Sequence, residues 1–325
     1  MNKVDTQHKE LIEKILSEGN KKMDRTGTGT MSIFGHQLRY LMSDGFPLLT
    51  LRKIHTRSII HEMLWFLGAF DEKYDKFGNT NIKYLIHSGV NYWCDWPYKH
   101  YDKSKEFRPE LPELTMEQFK EKILIDDDFA KEFGGIGKGY GHQWKSFGKR
   151  IEHDRNGKAS FFPGINQIDY LINELKENPD SRRLLLESWK ADEIDDILLP
   201  PCHHGFQLYT SLNDDKSRNL SLKLHIRSQD VGLGSPYNVA QYAILLHMFA
   251  QVSNMIPHEL IVDIGDAHIY NNHVEQLKEI IKRNGCPLPT LKLNQNIKNI
   301  YDFRYEDIII ENYKSHPNIK MEVSI

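Results

Sequence analysis

Cysteine is scarce in this chain of 325 residues: Cys94, Cys202 and Cys286 stand far apart and form no CxxC pair. That spacing excludes a disulfide framework and a cysteine-built zinc site, and it fits a reducing compartment. No run of eighteen apolar residues occurs, so no membrane-spanning helix is expected. The opening Met1-Asn2-Lys3-Val4-Asp5 has no apolar stretch behind it, which leads to the expectation of an unexported, cytoplasmic protein. An excess of positive charge is also missing. Forty-two basic against 45 acidic side chains give a net charge of -3, which offers no broad footprint for nucleic acid. Any anionic ligand must therefore be met by locally placed arginines. The 16 histidines are dispersed without an HExxH pair, so no metal is expected. The absence of GxGxxG and of repeated strand-helix-strand units argues against a nicotinamide-binding domain, and hence against NAD. No internal repeat or flexible linker divides the chain, which reads as one domain over 1–325 carrying a surface insertion at about 99–133.

Hydrophobic spacing supplies the elements. Leu11, Ile12, Ile15 and Leu16 predict an amphipathic helix over 7–20. The turn-forming loop Asp24 to Thr30 enters a strand at Met31–Tyr40, and Arg57–Phe70 has the apolar density of a buried helix. The 99–133 stretch is charged, with Pro109, Pro112 and the run Asp126-Asp127-Asp128, and reads as short surface helices. A helix follows near Gln167–Lys176, then strands near Leu184–Trp189 and Gly205–Thr210. From Ser221 to Ile226 the residues alternate, with Leu222, Leu224 and Ile226 on one face and Lys223, His225 and Arg227 on the other. Val239–Val252 is apolar nearly all round and predicts a central buried helix. This irregular order predicts an α+β fold around a mixed, mostly antiparallel sheet packed by helices.

The richest segment is Leu199-Pro200-Pro201-Cys202-His203. Two prolines fix the backbone just before a strand, so the Cys202 thiol can face a cavity; it is either a nucleophile or a small buried residue beside a strand. Glu62 within an apolar helix is either paired, for example with Arg57, or held for proton transfer with its pKa raised by desolvation. Arg227 reads either as a cation beside a thiolate or as one end of a surface ion pair. Arg182 and Arg183 after Asp180-Ser181 could bind phosphate or be a solvated strand entry.

These pieces belong to longer motifs: Asp24 to Thr30, His61 to Phe66, Trp93-Cys94-Asp95-Trp96, Tyr140-Gly141-His142-Gln143-Trp144, Asp180 to Arg183, Pro201 to His203, Arg227-Ser228-Gln229-Asp230, Pro236-Tyr237-Asn238 and Gly265 to Tyr270. In this order they resemble the thymidylate synthase family from about Asp24 to Ile325, apart from the charged insertion. The resemblance implies a homodimer, formed through a sheet face, that methylates dUMP with 5,10-methylenetetrahydrofolate. Cys202 is then the nucleophile at uracil C6 and Glu62 the general acid/base. Tyr140 assists removal of the C5 proton, and His203 orders the surrounding network. Phosphate falls to Arg25, Arg227 and Ser228, with Arg182 and Arg183 reaching in from the partner subunit. Asn238 reads the base, since its amide can donate to O4 and accept from N3-H. His268 and Tyr270 hold the sugar 3′-hydroxyl. Asp230 serves the catalytic, nucleotide and pterin contacts, with Gly234 beside it, while Trp93 and Trp96 give the folate an apolar wall. The terminal segment from His316 to Ile325 folds over bound substrate, and its carboxylate joins the network.

Some positions differ from the usual family pattern: Leu51-Arg52-Lys53, His204-Gly205, Ile226, Gln229 and Ser235. They motivate one alternative, a dUMP hydroxymethylase in which water rather than hydride reaches the exocyclic methylene. A second alternative keeps the fold as an RNA-binding or scaffold protein with a dead site.

Overall fold

The computed structural model describes residues 2–24 and 26–323. Helix α1 (Lys3–Glu18) starts where the Asn2 side chain accepts from the Asp5 amide at 2.8 Å, and it buries Leu11, Ile12 and Ile15. It begins and ends earlier than the spacing predicts, because Asn2 supplies the cap and Gly19 halts the helix before strand β1 (Asn20–Lys22). Strand β2 (Thr30–Leu41) and helix α2 (Thr56–Leu67) follow, the latter closed by Gly68 at φ +69°, a left-handed cap that suits glycine. Helices α3 (Lys83–His87), α4 (Asp95–Ser104), α5 (Met116–Ile125), α6 (Asp127–Phe133) and α7 (Tyr140–Ser146) come next. The charged stretch thus folds as α4 to α6. Its helices wrap an aromatic cluster of their own, in which Tyr101 meets Phe119, Phe129 and Phe133 at ring separations of 5.5, 5.4 and 5.0 Å. An ion pair of 2.7 Å from Asp127 to Lys83 ties this cluster to α3.

The hairpin β3 (Arg150–His153) and β4 (Ala159–Phe162) is solvent-exposed throughout. Beyond it lie α8 (Gln167–Glu177), β5 (Leu185–Glu187), β6 (His203–Leu212), β7 (Arg218–Asp230), α9 (Gly234–Val252) and β8 (Ile256–Tyr270). Helix α10 (Val274–Lys282) and the pair β9 (Thr290–Leu293) and β10 (Ile308–Glu311) complete the order.

The main sheet has the order β1-β2-β8-β7-β6-β5. Every neighbouring pair is antiparallel except β7 and β8, which run parallel and are joined through α9. The sheet is therefore mixed and mostly antiparallel, as the element order predicts. Alternation along β7 sends Leu220, Leu222, Leu224 and Ile226 inward, where they meet Phe206, Leu208, Leu260, Val262 and Ile264 beneath α9. α9 starts earlier than the apolar run suggests, at Gly234, because Pro236 is tolerated in a first turn. The opposite face is open to solvent among the described residues. It leaves Tyr209, Phe34 and Leu185 exposed among polar groups such as the 3.0 Å pair Lys223–Asp263.

Beyond β10 the chain turns back over the molecule. The His316 amide donates to the Thr50 carbonyl at 3.0 Å, Arg283 bridges the Leu51 and Pro317 carbonyls at 2.8 Å each, and Met321 is buried.

Candidate active site

Cys202 sits in the link that leads into β6, held from both sides. Its amide donates to the Tyr140 hydroxyl at 2.9 Å, and its carbonyl accepts from the Arg227 amide at 2.9 Å. The Arg227 guanidinium folds over the same link, donating from Nε to the Pro201 carbonyl at 2.8 Å and from Nη2 to the Pro200 carbonyl at 3.0 Å. That pose brings Nη2 to 4.0 Å from Cys202 Sγ, close enough for its charge to favour a thiolate. Trp189 lies beneath the guanidinium, with its ring 5.3 Å from Cζ. The β6–β7 register slips between His203 and Gly205, so a bulge at His204 re-aims the chain two residues after the thiol. Gly205 is needed there, since a Cβ would stand 2.7 Å from the Leu186 carbonyl oxygen. The His204-Gly205 departure thus answers to the packing of β5 on β6.

Tyr140 opens α7 at φ +21°, a rare conformation for a non-glycine residue and one that tends to be held at functional sites. Its buried ring stacks on Phe66 at 4.7 Å and meets His203 at 4.4 Å and Trp93 at 5.7 Å. Burial holds the Tyr140 hydroxyl protonated, with a pKa well above the usual value. His203 is buried too, its Nδ1 2.8 Å from the Tyr242 hydroxyl on α9. Burial, helped by neighbouring His204, pushes its pKa down to about 3, so the ring is neutral and suited to ordering partners.

Glu62 lies in the middle of α2 among Ile59, Met63 and Leu64, all buried. It is not paired with Arg57, whose Nε donates to the Ser88 carbonyl at 3.0 Å. The Trp93 indole N–H donates to Glu62 Oε1, and the hydroxyl of Tyr92, whose ring is partly exposed, reaches the same carboxyl. Desolvation outweighs these donors and pushes the Glu62 pKa up to about 7. A group with that pKa can both give and take a proton near neutrality. Trp96 stands 5.4 Å from Trp93 and extends the aromatic wall.

Asp230 ends β7, and its Oδ1 accepts from the amides of Gly232 at 2.8 Å and Leu233 at 3.2 Å. This shapes the turn that delivers Gly234 and, one turn into α9, Asn238. Beneath the turn the buried Arg52 donates to the Gly232 carbonyl at 2.9 Å. Arg52, within one of the segments that differ from the usual family pattern, is thus turned inward as a support. Gln229 is buried behind the same turn, and its Nε2 lies 3.4 Å from the Asp230 carbonyl oxygen. Ser235 faces α1, lining a cavity of about 10 Å³ with His8 and Tyr40. Ser228 pairs in register with Asp266, and Asp230 with His268, which brings Ser228, His268 and Tyr270 to one end of the β7–β8 pair. His268 Nδ1 is 3.3 Å from Asp266 Oδ1, and its ring meets Tyr270 edge-on at 5.3 Å. The 24–30 loop reaches the same end: Asp24 Oδ1 accepts from the Gly29 amide at 2.9 Å, and the Asn271 amide donates to the Gly29 carbonyl at 3.0 Å.

Two expected contributors fall outside the described residues, Arg25 and Ile325. Arg182 and Arg183 are not brought to Cys202 within this chain; they are exposed on the link before β5, where Arg183 lines an open groove with Tyr170 and Asp180. Sequence reasoning missed Gln241, fully buried on α9 beside Glu62. A polar residue in a run apolar all round was its only signal. Among the described residues, no cluster of His, Cys, Asp and Glu could hold a metal, and no helix is long and apolar enough to cross a membrane.

A thiol beside a guanidinium, a buried carboxyl titrating near neutrality and a neutral histidine network form a site with the make-up of an enzyme active site. Comparison with known proteins narrows the class. The family profile described as thymidylate synthase matches residues 6–325. The thymidylate synthase of Mycoplasma mobile is 47% identical over 319 residues, covering 98% of this chain and 99% of its own length. Those of Phytoplasma mali and Malacoplasma penetrans are 44% and 43% identical over 97% and 98% of this chain, and 98% and 99% of their own. The chain belongs to the thymidylate synthase family. It is accordingly a methyltransferase with thymidylate synthase function, and the hydroxymethylase and dead-site alternatives are not favoured.

Proposed function

We propose that the chain converts dUMP to dTMP with 5,10-methylenetetrahydrofolate through a covalent adduct of Cys202 at uracil C6. The observation that carries this reading is the Cys202–Arg227 pair: a thiol locked by two backbone hydrogen bonds with a cation 4.0 Å from sulfur. Attack forms the S–C6 bond and moves the ring electrons toward C5 and O4, where Glu62 supplies a proton. The folate supplies the one-carbon unit and then the hydride, leaving as dihydrofolate. Tyr140, with His203 nearby, serves the step in which the C5 proton leaves, after which the S–C6 bond breaks.

Asn238 reads O4 and N3-H of the base. Arg25, Arg227 and Ser228 hold the phosphate, and His268 and Tyr270 the sugar hydroxyl. Trp93, Trp96, Asp230, Gly234 and the terminal Ile325 enclose the pterin, for which the buried aromatic wall and the Asp230 turn are a fitting surface. Arg182 and Arg183 complete the phosphate site of a second copy, which makes the working unit a homodimer built on the open sheet face. The same reading places the protein in the cytoplasm as a single domain, with 99–133 as a surface insertion and no need of nucleic acid.

Replacing the sulfur tests it. Cys202→Ser is expected to lower kcat by at least about a thousandfold while dUMP still binds, because a hydroxyl is a far weaker nucleophile. Turnover close to that of the parent enzyme would overturn the assignment.

A further inference from the structure

Gln241 is fully buried on α9, three residues beyond Asn238 and so on the same helix face, and α9 packs directly on α2. Its side chain lies beside the Glu62 carboxyl, yet neither amide atom makes a hydrogen bond of ordinary geometry within the described residues. A buried amide without a partner is costly, so its retention in a helix otherwise lined by Ala240, Ala243, Ile244 and Leu245 calls for a role. An amide is the neutral side chain best suited to a carboxyl that changes state, because its oxygen accepts from the acid and its nitrogen donates to the carboxylate.

We propose that Gln241 is a positioning residue for Glu62, holding the carboxyl in one orientation through both halves of its proton cycle. This deepens the acid/base reading of Glu62 and rests on it. Other titratable groups face Glu62 from the elements around it: Tyr92 from the segment before α4, Tyr140 from α7 and Tyr242 from α9. Each is a phenol whose pKa is raised chiefly by desolvation, so all three stay neutral and none offers the Glu62 carboxyl a counter-charge.

The test follows the Glu62 carboxyl band by infrared spectroscopy from pH 5 to 9 in the full-length enzyme, with Glu62→Gln as the blank. Gln241→Met and Gln241→Ala remove the amide, whereas Gln241→Ser keeps a group that both donates and accepts. Loss of a donor to the carboxylate raises the midpoint, so Met and Ala are expected to shift it up by about half a pH unit or more. They should also lower kcat by about tenfold with the dUMP KM nearly unchanged, and Ser should return the midpoint toward the parent value. An unchanged midpoint in whichever of Met or Ala folds overturns the proposal even if kcat falls, since packing alone would then explain the loss. Full turnover by Glu62→Gln would instead remove the acid/base reading while leaving the infrared result on Gln241 standing.

Discussion

Glu62 couples the chemistry of the site to the stability of the fold. A carboxyl whose pKa rises from 4.5 to about 7 on folding binds its proton more tightly in the native state. The favourable contribution is therefore complete below pH 4.5 and is lost as pH rises through 7, a span worth roughly 3 kcal/mol. Glu62→Gln should consequently match the parent in stability near pH 4.5 and exceed it by up to about 3 kcal/mol above pH 7. Urea melts at the two pH values check this; a constant difference between parent and variant would show that burial does not control the carboxyl. Its anomaly was legible in the sequence as an acid among Ile59, Ile60, Met63 and Leu64. Its neighbours were not, because Trp93 and Gln241 are distant along the chain and only the packing of α2 on α9 and on the segment before α4 brings them together.

Elements with strong periodicity were the easiest to read. The alternation in β7 and the apolar run of α9 each follow from burial on a known number of sides. β1 and the hairpin β3–β4 were missed, since strands of three or four exposed residues carry no apolar alternation. The buried aromatic cluster of α4 to α6 was hidden by a charged surface that dominates the composition there. The returning C-terminal segment was expected from motif alone, and its described part is well anchored: His273 Nε2 lies 2.7 Å from the Glu322 carbonyl oxygen, and Met321 is buried near Gly232 in the Asp230 turn. A strap fastened beside that turn should act after the nucleotide is seated. Deleting Ile325 is therefore expected to lower kcat by about tenfold or more while dUMP affinity changes little. Equal losses in kcat and dUMP Kd would show that the terminus serves nucleotide binding instead.

At the scale of the whole molecule, the proposed homodimer rests on the open sheet face. Tyr209 is 68% exposed and Phe34 87% exposed on strands whose other face is fully packed, so this surface suits a second copy. The phosphate role proposed for Arg182 and Arg183, both exposed on the link before β5, calls for the same second copy. Tyr209→Arg would place an unpaired cation in the proposed interface. It is expected to convert a dimer into monomers in sedimentation and to reduce turnover in proportion. A parent enzyme that sediments as a monomer while fully active would contradict the shared site.

The central claim is that Cys202 and its surroundings carry out reductive methylation to completion. One incubation of the purified protein with dUMP and 5,10-methylenetetrahydrofolate tests it, following dihydrofolate by absorbance and the nucleotide by mass. The account predicts dihydrofolate and dTMP in equal amounts. Hydroxymethyl-dUMP with tetrahydrofolate, or no nucleotide product at all, would contradict it.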